Sequence, residues 1–181
     1  MYCELDRPED ARRALASGAD SEFANVPHDN LWLTMMAAYA DACAQLGEIG
    51  PAGLLYPQIE PYSDRLVTNG VNANGSMARL LGLLAATLGR FDDADRHFAA
   101  ACATHERIGA PIFLARARYE WAKALLVAGR DGDALRARDL LDQALEGARR
   151  HGCAVLQRRV EAARTAIDAA IAGYSRAPGI A

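Results

Sequence analysis

Three side chains able to bind a soft metal or move a proton fall close together at His97, Cys102 and His105. Cys102 and His105 are three apart, which on a helix places them on one face, as paired zinc ligands can be. A closed zinc site needs two more ligands at compatible spacing, and none is present, so a packed helical stripe explains the pair better. The carboxylates Asp92, Asp93 and Asp95 could in principle hold a divalent cation or exchange protons. They open a predicted helix, where negative charge stabilises the dipole by about 0.3–1 kcal/mol, and that accounts for them without catalysis. Asp131 and Asp133 likewise sit in a turn before a helix. His151-Gly152-Cys153 marks a helix junction, with His151 placed to cap the preceding carbonyls. The sequence holds no GxSxG, HExxH, paired-carboxylate or glycine-rich phosphate motif. It therefore predicts a non-enzyme, with no catalytic residue, no metal site and no cofactor.

The elements that would position these groups are helical. Ala, Leu and Arg dominate the 181 residues and β-branched residues are scarce, the composition of a helix former. Half the chain is apolar, 51%, enough to bury a sizeable core. The formal charge of −3 leaves no global field that would draw the chain to nucleic acid or anionic lipid. The pairs Arg149-Arg150 and Arg158-Arg159 read as solvated helix faces, the first also suiting a helix C-terminus. Cys3, Cys43, Cys102 and Cys153 show no CxxC pattern, and three stand at apolar helical positions where free cysteine packs as a small hydrophobe. No apolar run approaches the roughly 20 residues of a membrane span and no secretory leader is read at Met1 to Asp10, so a reducing cytoplasm is expected.

Four segments share one pattern, a turn followed by an acidic or polar step and an alanine that opens an amphipathic helix. They begin at Asp6, Gly47, Gly89 and Gly132, and their marker alanines Ala11, Ala52, Ala94 and Ala137 are spaced 41, 42 and 43 apart. Apolar spacing predicts helices over Leu31 to Leu46, Met77 to Leu88, Phe91 to Ile108, Pro111 to Val127, Asp133 to Arg150 and roughly Cys153 to Ile171. Met77 to Leu88, apolar nearly all round, is expected to be the most buried. The helix from Phe91 should place Phe91, Ala94, Phe98, Ala101, Cys102, His105 and Ile108 on one stripe. Gly47, Gly89, Gly109, Gly129, Gly152 and Gly173 are expected just past helix ends. Gly82 and Ala122 are expected where paired helices approach to about 8–10 Å. Between Pro57 and Gly75 the pattern lapses, with turn signals at Asn69-Gly70 and Asn74-Gly75. A long loop is expected there, packed between repeats or offering Tyr62, Asp64, Arg65 and Asn72 to a ligand.

The stretch from Leu81-Gly82 through Gly89, Phe91, Ala94, Phe98 and Ala101 resembles the tetratricopeptide signature, at a pitch of about 42 against the usual 34 or so. Asp29 to Leu33, Ser76 to Gly89 and Gly109-Ala110-Pro111 with Leu114-Ala115-Arg116 look similar to the C-terminal helical arm of large actinobacterial signalling ATPases. These include maltose-activator-like regulators and cyclase-linked ATPases. The resemblance spans about residues 1 to 165. It implies an all-α, right-handed superhelical array of antiparallel helix hairpins over residues 1–175. Its parts are a partial first repeat at 1–18, repeats at 28–61, 76–108 and 111–150, a capping helix at 153–172 and a flexible tail at 176–181. The chain lacks the GxxxxGK[ST] loop, cyclase segment and terminal helix-turn-helix of such proteins, so their ATPase and DNA-binding activities do not carry over.

In a tetratricopeptide array the first helix of each pair lines the concave surface, which by register implies Thr34, Asp41, Gln45, Arg79, Arg116, Tyr119 and Lys123 as groove contacts. Arg79, Arg116 and Lys123 could there receive a carboxylate, a phosphate or an acidic peptide, or simply solvate an unused surface or bridge neighbouring helices. The expected function is a non-catalytic scaffold for a protein or peptide partner, a regulatory arm of a signalling or transcription-regulating ATPase system. The alternative is a small-molecule effector sensor. Neither nucleic acid nor membrane is an expected partner. Met1 to Leu5 reads as the end of a helix whose beginning is absent, which leaves an apolar face for a homo-oligomer to cover.

Overall fold

Met77–Thr87 (α4) shows how composition becomes position. Ser76 caps it, its hydroxyl accepting from the Arg79 N–H at 3.4 Å. The apolar residues then run round the helix, and Met77, Leu80, Leu81, Leu84 and Ala85 are all buried. A helix apolar on every side must be enclosed by others. In this computed structural model, which describes residues 8–71 and 73–174, α4 packs against Trp32–Leu46 (α2), Ile49–Ile59 (α3) and Phe91–Arg107 (α5). Pro8–Asp20 (α1) lies against α2 and α3. The expectations for Met1 to Leu5, Cys3, Asn72 and the tail at 176–181 fall outside the described residues.

The chain divides into two compact units, Met1–Ile108 and Gly109–Ala181. In the first, Leu15, Phe23, Met36, Leu55, Ile59 and Phe98 join the α4 side chains in the interior. On α2 the buried face is Trp32, Met36, Ala40 and Cys43, whereas Leu31 and Met35, apolar residues within the predicted Leu31 to Leu46 segment, are 43% and 44% exposed. Ile108 is exposed as well, since α5 ends one residue before it.

The segment expected to be a loop is structured. α3 continues through Pro57 to Ile59, a 3-10 turn covers Glu60–Tyr62, and a hairpin follows. Its strands Leu66–Thr68 (β1) and Ala73–Ser76 (β2) pair antiparallel, with an irregularity between Val67 and Thr68. The β-branched pair Val67-Thr68 before Asn69-Gly70 suits a strand running into a turn. Val67 drops into the core and pins the hairpin to the helices. The described chain is thus mostly helical with one small two-stranded sheet.

The second unit is built from Pro111–Ala128 (α6), Asp133–Arg150 (α7) and Ala154–Tyr174 (α8). Ala115, Ala122, Leu125, Leu141, Leu145 and Val160 meet in its core. Gly147 fits where an added Cβ would stand 3.1 Å from the Ala115 Cβ, so α6 and α7 approach closely. Ion pairs Arg149–Glu161 (2.8 Å), Asp142–Arg164 (3.1 Å) and Arg138–Asp168 (3.8 Å) run along the α7–α8 seam in antiparallel order. Each is half-exposed and weak alone. Gly47 and Gly129 take left-handed C-cap conformations, with φ of 71° and 61°. Gly173 does not end a helix, because α8 runs on to Tyr174.

In the first unit a Cβ on Gly82 would meet the Phe98 ring at 3.0 Å. Gly82→Ala is expected to lower stability by about 1–3 kcal/mol through overpacking. Gly53→Ala, on exposed α3 surface with only Leu88 at 3.9 Å, should be neutral or stabilising by up to about 1 kcal/mol. Urea unfolding of the two variants checks both signs.

Candidate functional site

The seven residues expected to line a groove divide between the two units. In the first, Thr34, Asp41 and Gln45 lie on α2 and Arg79 on the first turn of α4. Gln45 is exposed and Thr34 half-buried, its hydroxyl oxygen enclosed with no hydrogen-bond partner. Arg79 is enclosed entirely: its side chain is 0% exposed, and Nη1 and Nη2 donate to the two Asp41 carboxylate oxygens at 3.1 Å each. Asp41 itself is 22% exposed. The bidentate geometry is the strongest an arginine and a carboxylate can adopt. It joins α2 to α4, so this guanidinium serves the interior and is not offered to a ligand.

The polar cluster of greatest detail was not read from the sequence as a unit. Tyr56 on α3 and His97 on α5 are buried and share a hydrogen bond of 2.7 Å between Oη and Nε2. The Arg90 guanidinium lies 4.3 Å from the Tyr56 ring centroid, and Asp93 holds it there at 2.7 Å while also pairing with Arg96 at 2.7 Å. The first-turn carboxylate expected to serve the helix dipole thus also clamps a cation over an aromatic face. Burial pushes the His97 pKa down and the Tyr56 pKa up. The signal for His97 was available: three after Ala94 and four before Ala101, it shares their stripe.

His105 is also interior, accepting the Ser76 N–H at 3.0 Å and so fixing the end of β2 against α5. Cys102 is buried near it, yet among the described residues no group of three or more His, Cys, Asp or Glu is disposed to hold a metal ion. Burial pushes the Cys43 thiol up to about 12, far from a reactive thiolate at neutral pH. Asp133, 2% exposed, is a structural clasp that accepts from Arg130 N–H and Nε at 3.2 and 2.9 Å and from Arg136 at 3.2 Å.

In the second unit the predicted residues do come together. Arg116, Tyr119 and Lys123 share one face of α6, with Tyr119 half-buried and Lys123 exposed. The Lys123 ammonium stands 5.8 Å from the Tyr119 ring centroid, and Arg116 donates to Glu120 at 2.9 Å. Burial raises the Tyr119 pKa, while the positive charge of Arg159 on α8 acts against that rise, which places it near the phenol. Arg159 is exposed and was not among the expected contacts. The face combines an aromatic surface with three cations and one carboxylate. Such a face can attract a carboxylate- or phosphate-bearing segment through charge and pack against it through the ring. Among the described residues no helix is long and apolar enough to cross a membrane. No protein-family model, curated protein or solved structure matches the chain.

Asp41→Ala would strand the buried Arg79 charge and is expected to cost about 3 kcal/mol, the low end for breaking a buried pair because Asp41 is partly exposed. Arg79→Met combined with Asp41→Ala should cost less than Asp41→Ala alone in thermal unfolding. The His97 proton gives a separate expectation. Its folded pKa lies below the unfolded value of about 6.5, so the unfolded chain binds more protons between the two values. Stability is full above about pH 6.5 and falls as the pH drops toward the folded value, by at most about 1.4 kcal/mol per unit. Tyr56, Glu60, Asp93, Arg90 and Arg96 surround the ring. His97→Gln should remove this one-proton slope from urea unfolding measured across the acid range.

Proposed function

We propose that the chain is a non-catalytic, tetratricopeptide-like scaffold that mediates protein–protein interaction, serving as a regulatory arm in a signalling or transcription-regulating ATPase system. Its partner presents an acidic segment, which docks on the α6–α8 face. The observation that carries this reading is the half-buried Tyr119 ring with Lys123 5.8 Å from its centroid and the Arg159 charge close by. An aromatic anchor rimmed by long cations is the side-chain chemistry of peptide-binding surfaces. The repeating marker alanines and the close helix contacts at Gly82 and Gly147 support the array of hairpins that would present such a face. The relation to ATPase systems rests on the sequence resemblance.

A fluorescein-labelled Asp/Glu-rich peptide is expected to bind with saturable anisotropy that weakens as salt rises. Reversing Lys123 and Arg159 together (K123E, R159E) should reduce affinity at least about tenfold, and Tyr119→Ala should reduce it where Tyr119→Phe does not. Equal binding by the parent and the double variant would exclude this face as the docking site.

A further inference from the structure

The modest charge of the whole chain conceals a division. Met1–Ile108 carries 15 Asp and Glu against 8 Lys and Arg, a balance of −7, and Gly109–Ala181 carries 8 against 12, a balance of +4. Opposite charge on two units of one chain is an electrostatic asymmetry that can steer association.

In the acidic unit the topology concentrates the charge at one end. α1, α3 and α5 all finish there. Gln58 Nε2 near the end of α3 donates to the Glu22 carbonyl just beyond α1 at 3.0 Å. Ser76 N–H meets His105 near the end of α5, and Met77 N–H meets the Arg65 carbonyl at 2.9 Å. Around this end Asp20, Glu22, Asp29, Glu60, Asp64 and Glu106 are exposed, against the two exposed guanidiniums of Arg65 and Arg107. Three helix C-termini add the negative end of their dipoles, and neither α1 nor α3 has a basic residue in its last turn.

The same end carries rings. His28, exposed, stacks on Trp32 at 4.3 Å between centroids, and Trp32 meets Tyr62 at 5.2 Å. Aromatic rings beside carboxylates are the natural receptor for a guanidinium, which can stack on one and hydrogen-bond the other. The basic unit offers the counterpart, with Arg159 and Lys123 exposed around Tyr119.

We infer that the acidic occupant of the α6–α8 face is the acidic, aromatic-bearing end of the first unit of a second copy of this chain. The contact is head-to-tail, between two different surfaces. It rests on the reading of the α6–α8 face as an acceptor for acidic segments and names the partner of that site.

Sedimentation velocity on the full chain tests it. Near 10 mM salt the weight-average mass should rise with protein concentration beyond that of one chain. Near 1 M salt it should return to one chain, as the screening length falls from about 30 Å to about 3 Å. A basic-face variant (K123E, R159E) and an acidic-end variant (E22R, E60R) should each self-associate at least about tenfold more weakly. An equimolar mixture should associate again, because each supplies the unaltered surface the other lacks. That recovery also shows both variants are folded. A chain that stays monomeric at low salt at every concentration, or variants that fail to complement, overturns the inference. If the labelled acidic peptide still binds the parent and loses affinity for the basic-face variant, the self-association alone has failed. If the peptide does not bind either, the docking face has failed with it.

Discussion

Helices share one interior only where their axes come close enough for side chains to interlock, and small residues set that distance. In the first unit Gly82 lets α5 lay Phe98 directly on α4, with no room for a methyl group between them. In the second, Gly147 admits the Ala115 methyl between α6 and α7. Ala94, Ala101, Ala122, Ala137, Ala144 and Ala148 are buried along the same lines. Because these residues bury little area each, stability comes from the larger groups that their closeness brings together: Met36, Leu80, Leu84 and Phe98 in one unit, Leu125, Leu141 and Leu145 in the other. The close packing also makes every buried polar group consequential, since there is little free volume in which it could find water.

In the first unit three of those polar groups are accommodated by pairing between separate elements. Arg79 reaches from α4 to Asp41 on α2, Tyr56 from α3 to His97 on α5, and His105 from α5 to the Ser76 amide. In each case the partners come from elements distant in sequence, so each contact forms only when the helices have met. The second unit carries charge along the α7–α8 seam and on the α6–α8 face. This leaves cations at the surface where the first unit has turned one inward.

The helices were legible because period and punctuation agreed. Apolar spacing, the glycines at 47, 89, 109, 129 and 152, and Pro111 at a first turn mark their limits to within a few residues. Burial of α4 followed from its being apolar on all sides. The hairpin was not legible as such, because three- and four-residue strands give too short an alternation to stand out beside Asn-Gly turn signals. At the site, Arg116, Tyr119 and Lys123 share a face as their spacing implied, since that relation lies within one helix. For Arg79 on α4 the sequence leaves a groove contact and a bridge between helices both open, because its neutralising partner lies 38 positions away, on another helix. Arg159 was missed for the same reason: its relation to Tyr119 exists only after α8 folds back alongside α7. Local order can be read along a chain, but which cation stays outside is decided by long-range pairing.

The Arg79–Asp41 contact has a bearing on alignment. Layers of alanine and leucine are nearly interchangeable, so one helix could slide past another by a turn, about 5.4 Å, and still cover greasy surface. A guanidinium with no solvent exposure permits no such slip. Displaced by that distance from its carboxylate, it would sit charged among hydrocarbons, a far heavier penalty than any mismatch of methyl groups. One arginine thus acts as an indexing pin, selecting a single seating of α2 on α4 from several that oily contacts alone would tolerate.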